Sequence, residues 1–331
     1  MKLDSVRELK EALSHSVLSR VAETMRARSG FGVASQALSA VSTTPRSLAL
    51  GIAPKGREFR LAVRLQHRAM ENSPEVEAIR KQAKGEVDVR CIGRVLKSAR
   101  PWHQKRNRPL RIGGSIGHFK ITAGTLGCFM RTRTGEVVHI LSNNHVLADE
   151  NRAKLGDAIL QPGAFDGGQN PKDVIGSLAK FEPLKRIGVN FVDCAIASIK
   201  EGIKFNIRKL QGLGNLAGVG PAFLDTGTKV AKVGRTTGLT HGRVTAFELD
   251  NVVVGYDIGN LRFDNQIEIE GADDGPFSQG GDSGSVIVDG KMLAVALLFA
   301  GGDQGGSNGQ GLTYANPFQT VLDTLKVDLA F

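Results

Sequence analysis

From residue 113 onward, short β-prone apolar runs alternate with glycine, asparagine and aspartate, which limits this part of the chain to folds built from many short strands. The 331 residues include 41 glycines, and few helical periods occur between residue 113 and Pro317. The candidate strands are TLGCFMR, VVHILSN, DAILQPG, VIGSLAKF, VDCAIASI, TKVAKVG, GRVTAFELDNVVVGY, QIEIEG, SGSVIVD and the apolar run at residues 292–300. Such a series of short strands indicates two β-barrels or a β-sandwich.

Ahead of the β-rich region, the sequence predicts a helix and then a small α/β module. Residues 1–30 are interpreted as an N-terminal amphipathic helix, because apolar residues recur every three or four positions from Val6 to Met25. This stripe would pack on the chain's own body, or else face a partner or a membrane. Residues 45–96 predict a β-β-α-β order, with LALGI, FRLAVRL, a helix that begins near Pro74 and ends near Gly85, and EVDVRCI.

The front of the chain is strongly basic. Residues 1–111 hold 23 Lys and Arg against 10 Asp and Glu, whereas residues 112–331 hold 20 against 23, which gives a net charge of +10. Residues 97–111 contain no acid, two prolines and the single tryptophan, Trp102, a composition typical of an exposed basic linker. The basic surface is either simply solvated or contacts an acidic protein, nucleic acid or an anionic membrane surface. Trp102 among these bases is suited to stacking on a nucleobase.

Cysteine usage favours a reducing compartment, and the apolar runs indicate neither secretion nor a membrane span. Cys91, Cys128 and Cys194 are odd in number and lack CxxC spacing, so neither a disulfide framework nor a zinc knuckle is predicted. The first 20 residues mix acids with bases and lack the apolar core of a secretory signal. The longest apolar run, residues 292–300, is less than half of the roughly 20 residues that cross a bilayer as a helix. We therefore expect a cytoplasmic protein without a membrane span.

Three short motifs in the β-rich region hold the residue types that nucleophilic catalysis needs. In LSNNHVLAD an apolar strand ends just before His145, which places the imidazole at a rim. In NFVDCAIASI, Asp193 interrupts an apolar strand, where a carboxylate must find a hydrogen-bond donor or lose its charge. In FSQGGDSGSVIVD, Gly280 and Gly281 permit a tight turn whose N–H groups point at one oxyanion beside Ser283. Either of the first two motifs alone is more often structural.

These motifs resemble those of the chymotrypsin-like serine proteases. GDSGS around Ser283 is similar to the GDSG motif of that family, and SNNHV is similar to its histidine motif. His145, Asp193 and Ser283 are 48 and 90 residues apart, where the family's His, Asp, Ser order has roughly 45 and roughly 93. AGTLGC, KVGRTTGLTHGRV and AVALLFAGG followed by ANPF resemble the intracellular trypsin-like branch of bacterial and plant NARROW LEAF 1-type proteases.

The resemblance covers residues 112–331 and implies a mainly β protease domain of two six-stranded β-barrels, preceded by the N-terminal helix and the small α/β module. It implies that Ser283 is the nucleophile, His145 the general base and Asp193 the carboxylate that orients it. The N–H groups of Gly281 and Ser283 would bind the oxyanion, and neither a metal nor a cofactor is implied. The predicted function is cleavage of peptide bonds through an acyl-enzyme, as regulated limited proteolysis in the cytoplasm.

The resemblance also raises a question of activation at Asp282. In the family this carboxylate shapes the oxyanion hole through a buried partner, which in zymogen-type members is a newly freed N-terminus. The segment RIGG at residues 111–114 resembles such a cleavage site. A glycine-rich entry to a strand explains the same residues, and Ile112 lies only 33 residues before His145. Both interpretations stay open at this point.

The substrate pocket is assigned by resemblance alone. Its base would fall at Phe277, six residues before the nucleophile, and its walls at Phe299, Ala300 and Gly301. No acid lies at that base, so an apolar or small residue before the cleaved bond is expected rather than Lys or Arg. Phe299 stands where the family often has a serine that supports the aspartate, which leaves Asp193 without that donor.

Two other functions fit parts of the sequence. A binding or scaffold protein would use the barrels as a platform and the basic front half to contact an acidic partner or nucleic acid. An acyl hydrolase of another substrate class would share the triad chemistry. The expected partners of the leading interpretation are a protein or peptide substrate and a regulatory protein that binds the N-terminal module.

Overall fold

A computed structural model of the chain describes residues 1–29, 48–66, 68–93, 100–272 and 274–331, and for residues 17–29 it describes only the backbone. The contacts divide the chain into two compact units, Met1–Ala99 and Arg100–Phe331. The first unit is α/β and the second is mainly β.

In the first unit, one long helix is followed along the chain by elements in the predicted β-β-α-β order. Its elements are α1 (Leu3–Ser29), β1 (Leu48–Lys55), β2 (Glu58–Leu65), α2 (Pro74–Gln82) and β3 (Val87–Cys91). Strand β2 lies in the centre of the sheet, antiparallel to β1 and parallel to β3. Helix α2 begins where its sequence predicts, because the Ser73 hydroxyl accepts the Val76 N–H at 3.4 Å and Pro74 occupies the first turn.

A single apolar cluster holds the first unit together. Val6 and Leu13 of α1 are buried in the same cluster as Leu61 and Val63 of β2 and Ile79 of α2. The first half of the apolar stripe of α1 therefore packs on its own unit. The side chains of the second half, at Val17, Val21 and Met25, lie outside the described residues.

Residues 100–111 belong to the second unit, although the sequence predicts an exposed linker over residues 97–111. Leu110 is fully buried, and its N–H donates to the Lys204 carbonyl at 2.8 Å. His103 is 8% exposed, and its Nδ1 lies 2.6 Å from the Arg235 carbonyl oxygen. The difference arises because the few apolar and polar anchors of this segment face inward between its basic residues. Residues 97–99 lie outside the described residues.

The second unit is built almost entirely from short strands. In chain order its elements are β4 (Ser115–His118), β5 (Gly124–Thr125), β6 (Cys128–Thr132), β7 (Val138–Ser142), α3 (Asn144–Leu147), β8 (Ala158–Leu160), β9 (Val174–Phe181), β10 (Ala195–Ile199), β11 (Lys209–Leu210), β12 (Gly214–Asn215), β13 (Gly218–Val219), β14 (Lys229–Gly234), β15 (Gly238–Leu249), β16 (Val252–Tyr256), β17 (Gly259–Phe263), β18 (Gln266–Gly271), β19 (Val286–Asp289), β20 (Leu293–Gly301), β21 (Leu312–Pro317), α4 (Phe318–Leu325) and β22 (Val327–Leu329).

Two curved sheets account for most of these strands. One has eight strands in the order β22-β6-β7-β10-β9-β8-β4-β5 and curls into a half-barrel. The other has seven strands in the order β13-β20-β19-β14-β15-β18-β21, and an additional β20–β21 pairing closes six of them into a barrel. The prediction of a mainly β, chymotrypsin-like double-barrel fold is confirmed. Strand β22 pairs with β6, so the end of the chain returns to the first sheet.

One predicted strand is in fact two. The run GRVTAFELDNVVVGY divides because β15 ends at Leu249 and Asn251 has a φ of +61°. Strands β16 and β17 then form a separate two-stranded hairpin. This hairpin has its own small apolar cluster, in which Leu261 and Phe263 pack against Phe299.

All but the first residue of the long apolar run at residues 292–300 lie in β20, a largely buried strand, as predicted. Within the described part of the chain, none of the helices is both long and apolar enough to span a bilayer.

Candidate active site

The first sheet brings His145 and Asp193 together. Strands β7 and β10 are antiparallel neighbours, with Ala195 opposite Ser142. His145 lies in α3, directly after β7, and Asp193 lies just before β10, so the two side chains meet at the same end of the strand pair. His145 Nδ1 is 2.5 Å from Asp193 Oδ2.

The Asp193 carboxylate is completely buried, yet each of its oxygens accepts two hydrogen bonds. Oδ1 accepts the backbone N–H groups of Asn144 at 2.6 Å and His145 at 3.3 Å. Oδ2 accepts the Tyr256 hydroxyl at 2.7 Å in addition to its contact with His145. A buried carboxylate keeps its charge only with such donors.

His145 is poised between burial and its charged neighbour. Burial lowers the pKa of His145. The charge of Asp193, the hydrogen bond to it and the charge of Glu150 raise the pKa, and together they outweigh the effect of burial. The net result is a pKa above the ordinary value of histidine. The imidazole side chain is still 22% exposed, so a substrate can reach it.

Asparagines hold the backbone of Asp193 from both sheets. The side-chain amide of Asn143 donates to the Asp193 carbonyl at 2.7 Å. The Asp193 N–H donates to Asn316 Oδ1 at 2.9 Å, and Asn316 is completely buried in β21. Asn316 in turn donates to Gln266 Oε1 at 2.7 Å. The second sheet thereby fixes a residue of the first.

Ser283 lies in a tight turn of the second sheet that leads into β19. Gly281 has a φ of +95°, a conformation that L side chains rarely adopt, so the glycine is required there. The Ser283 carbonyl accepts the Thr125 N–H at 2.8 Å. Ser283 Oγ lies 3.5 Å from the Phe299 carbonyl oxygen, and the residues that the structure describes include no hydrogen bond between Ser283 and His145. In unliganded active sites this bond is often long and tightens only when substrate binds.

Gly124 shows how closely the segments of His145 and Ser283 approach each other. A Cβ atom at Gly124 would lie 2.4 Å from a methyl group of Val146 and 3.1 Å from the Ser283 carbonyl oxygen. Val146 is the residue after His145, so the histidine helix and the serine turn are separated by only one glycine backbone. The structure therefore brings all three predicted triad residues to one place.

The backbone around Ser283 leaves two donors free. The N–H groups of Gly281 and Ser283 have no acceptor among the described residues. Beside them, the Asp282 carboxylate turns inward and accepts the N–H groups of Thr236 at 2.7 Å, Thr237 at 3.1 Å and Gln279 at 3.0 Å. These bonds fix the turn in a shape that exposes its free N–H groups.

Asp282 has a buried cationic partner, Lys232 of β14. Lys232 Nζ is 3.2 Å from Asp282 Oδ2, and both side chains have no exposed surface. The ammonium also donates to Thr237 Oγ1 and, at 3.4 Å, to the Gly238 carbonyl. Burial lowers the pKa of Lys232, and the charge of Asp282 opposes this shift. Lys232 is therefore the buried partner of Asp282, in the position where the resemblance raised the possibility of a freed N-terminus.

A cavity of about 410 Å³ opens beside Ser283. Of the four residues that the resemblance assigns to the pocket, Ala300 and Gly301 line this cavity, and Phe277 and Phe299 do not. Phe277 is buried in the core of the second barrel, where Lys232 lies 5.8 Å from its ring centre. Phe299 packs on Phe263 with ring centres 4.7 Å apart. The other lining residues are glycines and polar residues for the most part, and they include Ser278, Gln279, Gly280, Gly302, Asp303 and Gln310.

Lys232, Asn316 and Tyr256 are among the site residues that the sequence did not predict. Lys232 had a usable signal, because a lysine interrupts the apolar strand KVAKVG in the manner of Asp193 in its own strand. Asn316 lies in the motif ANPF, but its pattern does not indicate what it contacts. Tyr256 ends a run of β-prone residues and carries no signal of its own. No group of three or more His, Cys, Asp or Glu in the described ranges is arranged to hold a metal ion.

No protein-family model matches the chain, and no curated protein matches it. Similar solved structures cover 66% of the chain. They include Thermobifida fusca protease A (18% identity, 97% of that chain, TM-score 0.45). A glutamic acid-specific serine protease that uses a histidine triad in substrate binding is also similar (20% identity, 100% of that chain, TM-score 0.47), as is Cellulomonas bogoriensis chymotrypsin (18% identity, 97% of that chain, TM-score 0.45). At these identities the likeness concerns the fold alone.

Proposed function

We propose that the chain is a serine endopeptidase of the chymotrypsin-like class. The observation that supports this most is the 2.5 Å contact between His145 and a fully buried Asp193, placed one glycine backbone away from the turn of Ser283. A histidine oriented by a buried carboxylate beside a serine that lines a cavity is the arrangement that activates a serine as a nucleophile.

In the proposed reaction, Ser283 Oγ attacks the carbonyl carbon of the scissile peptide bond. His145 Nε2 takes the hydroxyl proton and then gives it to the leaving amine, which yields an acyl-enzyme and the first product. A water molecule, deprotonated by the same imidazole, then hydrolyses the acyl-enzyme and restores Ser283. Asp193 keeps His145 in the tautomer that leaves Nε2 free and stabilises the imidazolium.

The free N–H groups of Gly281 and Ser283 are proposed to bind the oxyanion of the tetrahedral intermediate. Donors already held in place cost no reorganisation during the reaction, and loss of one such donor typically costs on the order of 3 kcal/mol. The inward hydrogen bonds of Asp282 support this assignment, because they hold the turn in which both donors lie.

The intact chain is proposed to be active without cleavage after Arg111. Lys232 already supplies the buried cation that Asp282 needs, so no new N-terminus has to reach it. Ile112, the residue that such a cleavage would expose, is fully buried. The glycine-rich strand entry is therefore the better interpretation of residues 111–114.

The cellular setting is also part of the proposal. Three unpaired cysteines, one of them exposed, favour the reducing cytoplasm. There the enzyme would carry out limited cleavage of protein or peptide substrates as a member of the intracellular trypsin-like branch. A regulatory protein would bind the N-terminal unit. The preference for an apolar or small residue before the cleaved bond stays a prediction.

Reaction with a fluorophosphonate probe tests the proposed nucleophile. The full-length wild type should gain one probe mass, located by peptide mapping on Ser283, and Ser283→Ala should gain none. Ser198→Ala is the matched control, since Ser198 lies in β10 and its hydroxyl bonds to Ser177. An intact mass before labelling shows whether the reactive chain has been cleaved after Arg111. A folded wild type without labelling would favour a binding protein instead.

Digestion of a peptide library distinguishes a peptidase from another acyl hydrolase. The wild type should produce new peptide termini that the Ser283→Ala variant does not produce, and the residues before the new termini give the pocket's preference. If the probe labels Ser283 but only small esters are hydrolysed, the peptidase proposal is wrong.

A further inference from the structure

Tyr256 stands out because it is the only side-chain hydroxyl that reaches the Asp193 carboxylate in the described part of the chain. Its hydroxyl lies 2.7 Å from Oδ2, the same oxygen that contacts His145 Nδ1. Its ring also meets the imidazole edge to face, with centroids 5.9 Å apart. Tyr256 therefore contacts both members of the His–Asp pair.

The element that carries Tyr256 is fastened to the histidine segment. The Glu150 carboxylate, in the loop after α3, accepts the N–H groups of Asp257 at 3.2 Å and Ile258 at 3.1 Å, at the tip of the β16–β17 hairpin. Arg152 bonds to Asp257 at 3.0 Å. Residues 149–151 all have positive φ values, which are uncommon in residues other than glycine and cluster at functional sites.

The inner face of the hairpin fixes the tyrosine ring. Tyr256 stacks on Phe263 with centroids 6.0 Å apart, and Phe263 packs on Phe299. Burial raises the pKa of Tyr256 well above its ordinary value, as does the nearby charge of Asp193. The hydroxyl therefore stays protonated and acts as a donor to the carboxylate.

We infer that Tyr256 is a positioning residue for the His145–Asp193 pair, delivered by the β16–β17 hairpin. It holds Oδ2 in line with His145 Nδ1 and draws charge from that oxygen, which moderates the attraction of Asp193 for the protonated imidazole. This inference rests on the proposed function for its effect on rate, but not for its effect on the titration of His145.

The test compares Tyr256→Phe with the wild type and with Tyr314→Phe. The phenylalanine keeps the ring and removes only the hydroxyl. Tyr314 is the chain's other tyrosine and also bonds a carboxylate, that of Glu268, so Tyr314→Phe is the matched control. The groups that face His145 are Asp193, Glu150 and Tyr256, and both variants leave the two carboxylates in place.

Two measurements are made on full-length protein. The first is the His145 pKa, followed by NMR in the resting protein. The second is the rate of fluorophosphonate labelling from pH 5 to pH 9. In Tyr256→Phe the His145 pKa and the acid limb of the rate should move to higher pH. The rate at the optimum should fall roughly tenfold, in line with loss of one hydrogen bond to a charged group. Tyr314→Phe should change neither the pKa of His145 nor the midpoint of the acid limb of the labelling rate.

Replacement of Tyr256 by 3-fluorotyrosine provides a second variant, because fluorine makes the phenol a stronger donor. The His145 pKa should then move to lower pH. An unchanged His145 pKa in both Tyr256 variants would overturn the inference, and so would a lower rate without movement of the acid limb, which is what simple loosening of the site would give. If the wild type is not labelled at all, the proposed function fails, and the NMR titration still decides the role of Tyr256.

Discussion

At the residue scale, two fully buried carboxylates keep their charge by different means. Asp193 is stabilised by hydrogen bonds from N–H groups, a hydroxyl and a histidine that must itself gain and lose a proton. Asp282 has a buried lysine partner, Lys232, as well as N–H donors. The first arrangement leaves a group able to titrate, which suits a base. The second holds a rigid turn, which suits an oxyanion site.

Lys232→Met should leave the buried Asp282 carboxylate without its cationic partner. Breaking a buried pair in this way typically costs about 3–5 kcal/mol, and the turn of Gly281 and Ser283 should lose its fixed shape. We expect urea unfolding to show a loss of this size and fluorophosphonate labelling to slow sharply. Lys229→Met, an exposed lysine of the same strand, should change neither. Equal behaviour of the two variants would contradict a role for the buried pair.

The raised pKa of His145 fixes the direction of the pH dependence. The base must be neutral to accept the Ser283 proton, and a raised pKa keeps the imidazole protonated to higher pH. The labelling rate should therefore fall on acidification with a midpoint above the ordinary histidine value of about 6.5. Circular dichroism at each pH separates this loss from unfolding. A midpoint at or below 6.5 in folded protein would show that Asp193 does not raise the pKa of His145.

At the scale of elements, the site depends on the close approach of α3 to the turn before β19. Gly124→Ala should force Val146 or the Ser283 carbonyl to move, since the new methyl group would lie 2.4 Å from Val146. Overpacking of this kind typically costs about 1–3 kcal/mol, and displacement of α3 should slow labelling. Gly275→Ala is the control, because among the residues that the structure describes none but its chain neighbours comes within 4 Å of the new methyl group. Unchanged labelling in Gly124→Ala would mean that the contact does not position His145.

The same elements show what the sequence could and could not predict. VIGSLAKF became β9 with its predicted bounds, because its limits are set by local turn residues and alternation. The sequence predicts β15 and β16 as one strand, since only isolated positive-φ residues, Glu248 and Asn251, interrupt this β-prone run. Counting six residues back from Ser283 predicts Phe277 at the base of the pocket, but Phe277 lies in the loop between β18 and β19 and packs in the core. A count along the chain does not give the direction of a side chain in a loop. Contacts such as Tyr256 with Asp193 depend on tertiary packing, which no local pattern encodes.

At the scale of the whole molecule, each unit encloses its own apolar core. The clusters around Leu61 in the first unit and Leu297 in the second share no residue. The units contain about 100 and about 230 residues. Every residue proposed to act in catalysis belongs to the second unit, so the proposed chemistry needs no group from the first.

Because the two units have separate cores, we expect each unit to unfold in its own transition. The size of a unit determines how far a given loss of stability shifts its melting temperature. Leu61→Ala and Leu297→Ala remove the same side chain from fully buried positions, a change that typically costs about 2–5 kcal/mol. A loss of 1 kcal/mol shifts the melting temperature by about 4–8 °C in a domain of up to 100 residues and by about half as much in one of about 200 residues.

Calorimetry of the full chain should therefore show two transitions. Leu61→Ala should lower only one of them, and by more degrees per kcal/mol than Leu297→Ala lowers the other. Loss of Ser283 labelling on heating should follow the transition that Leu297→Ala moves and ignore the one that Leu61→Ala moves. A single transition lowered by both variants would mean that the units unfold together, and the proposed active site would then depend on the stability of the N-terminal unit.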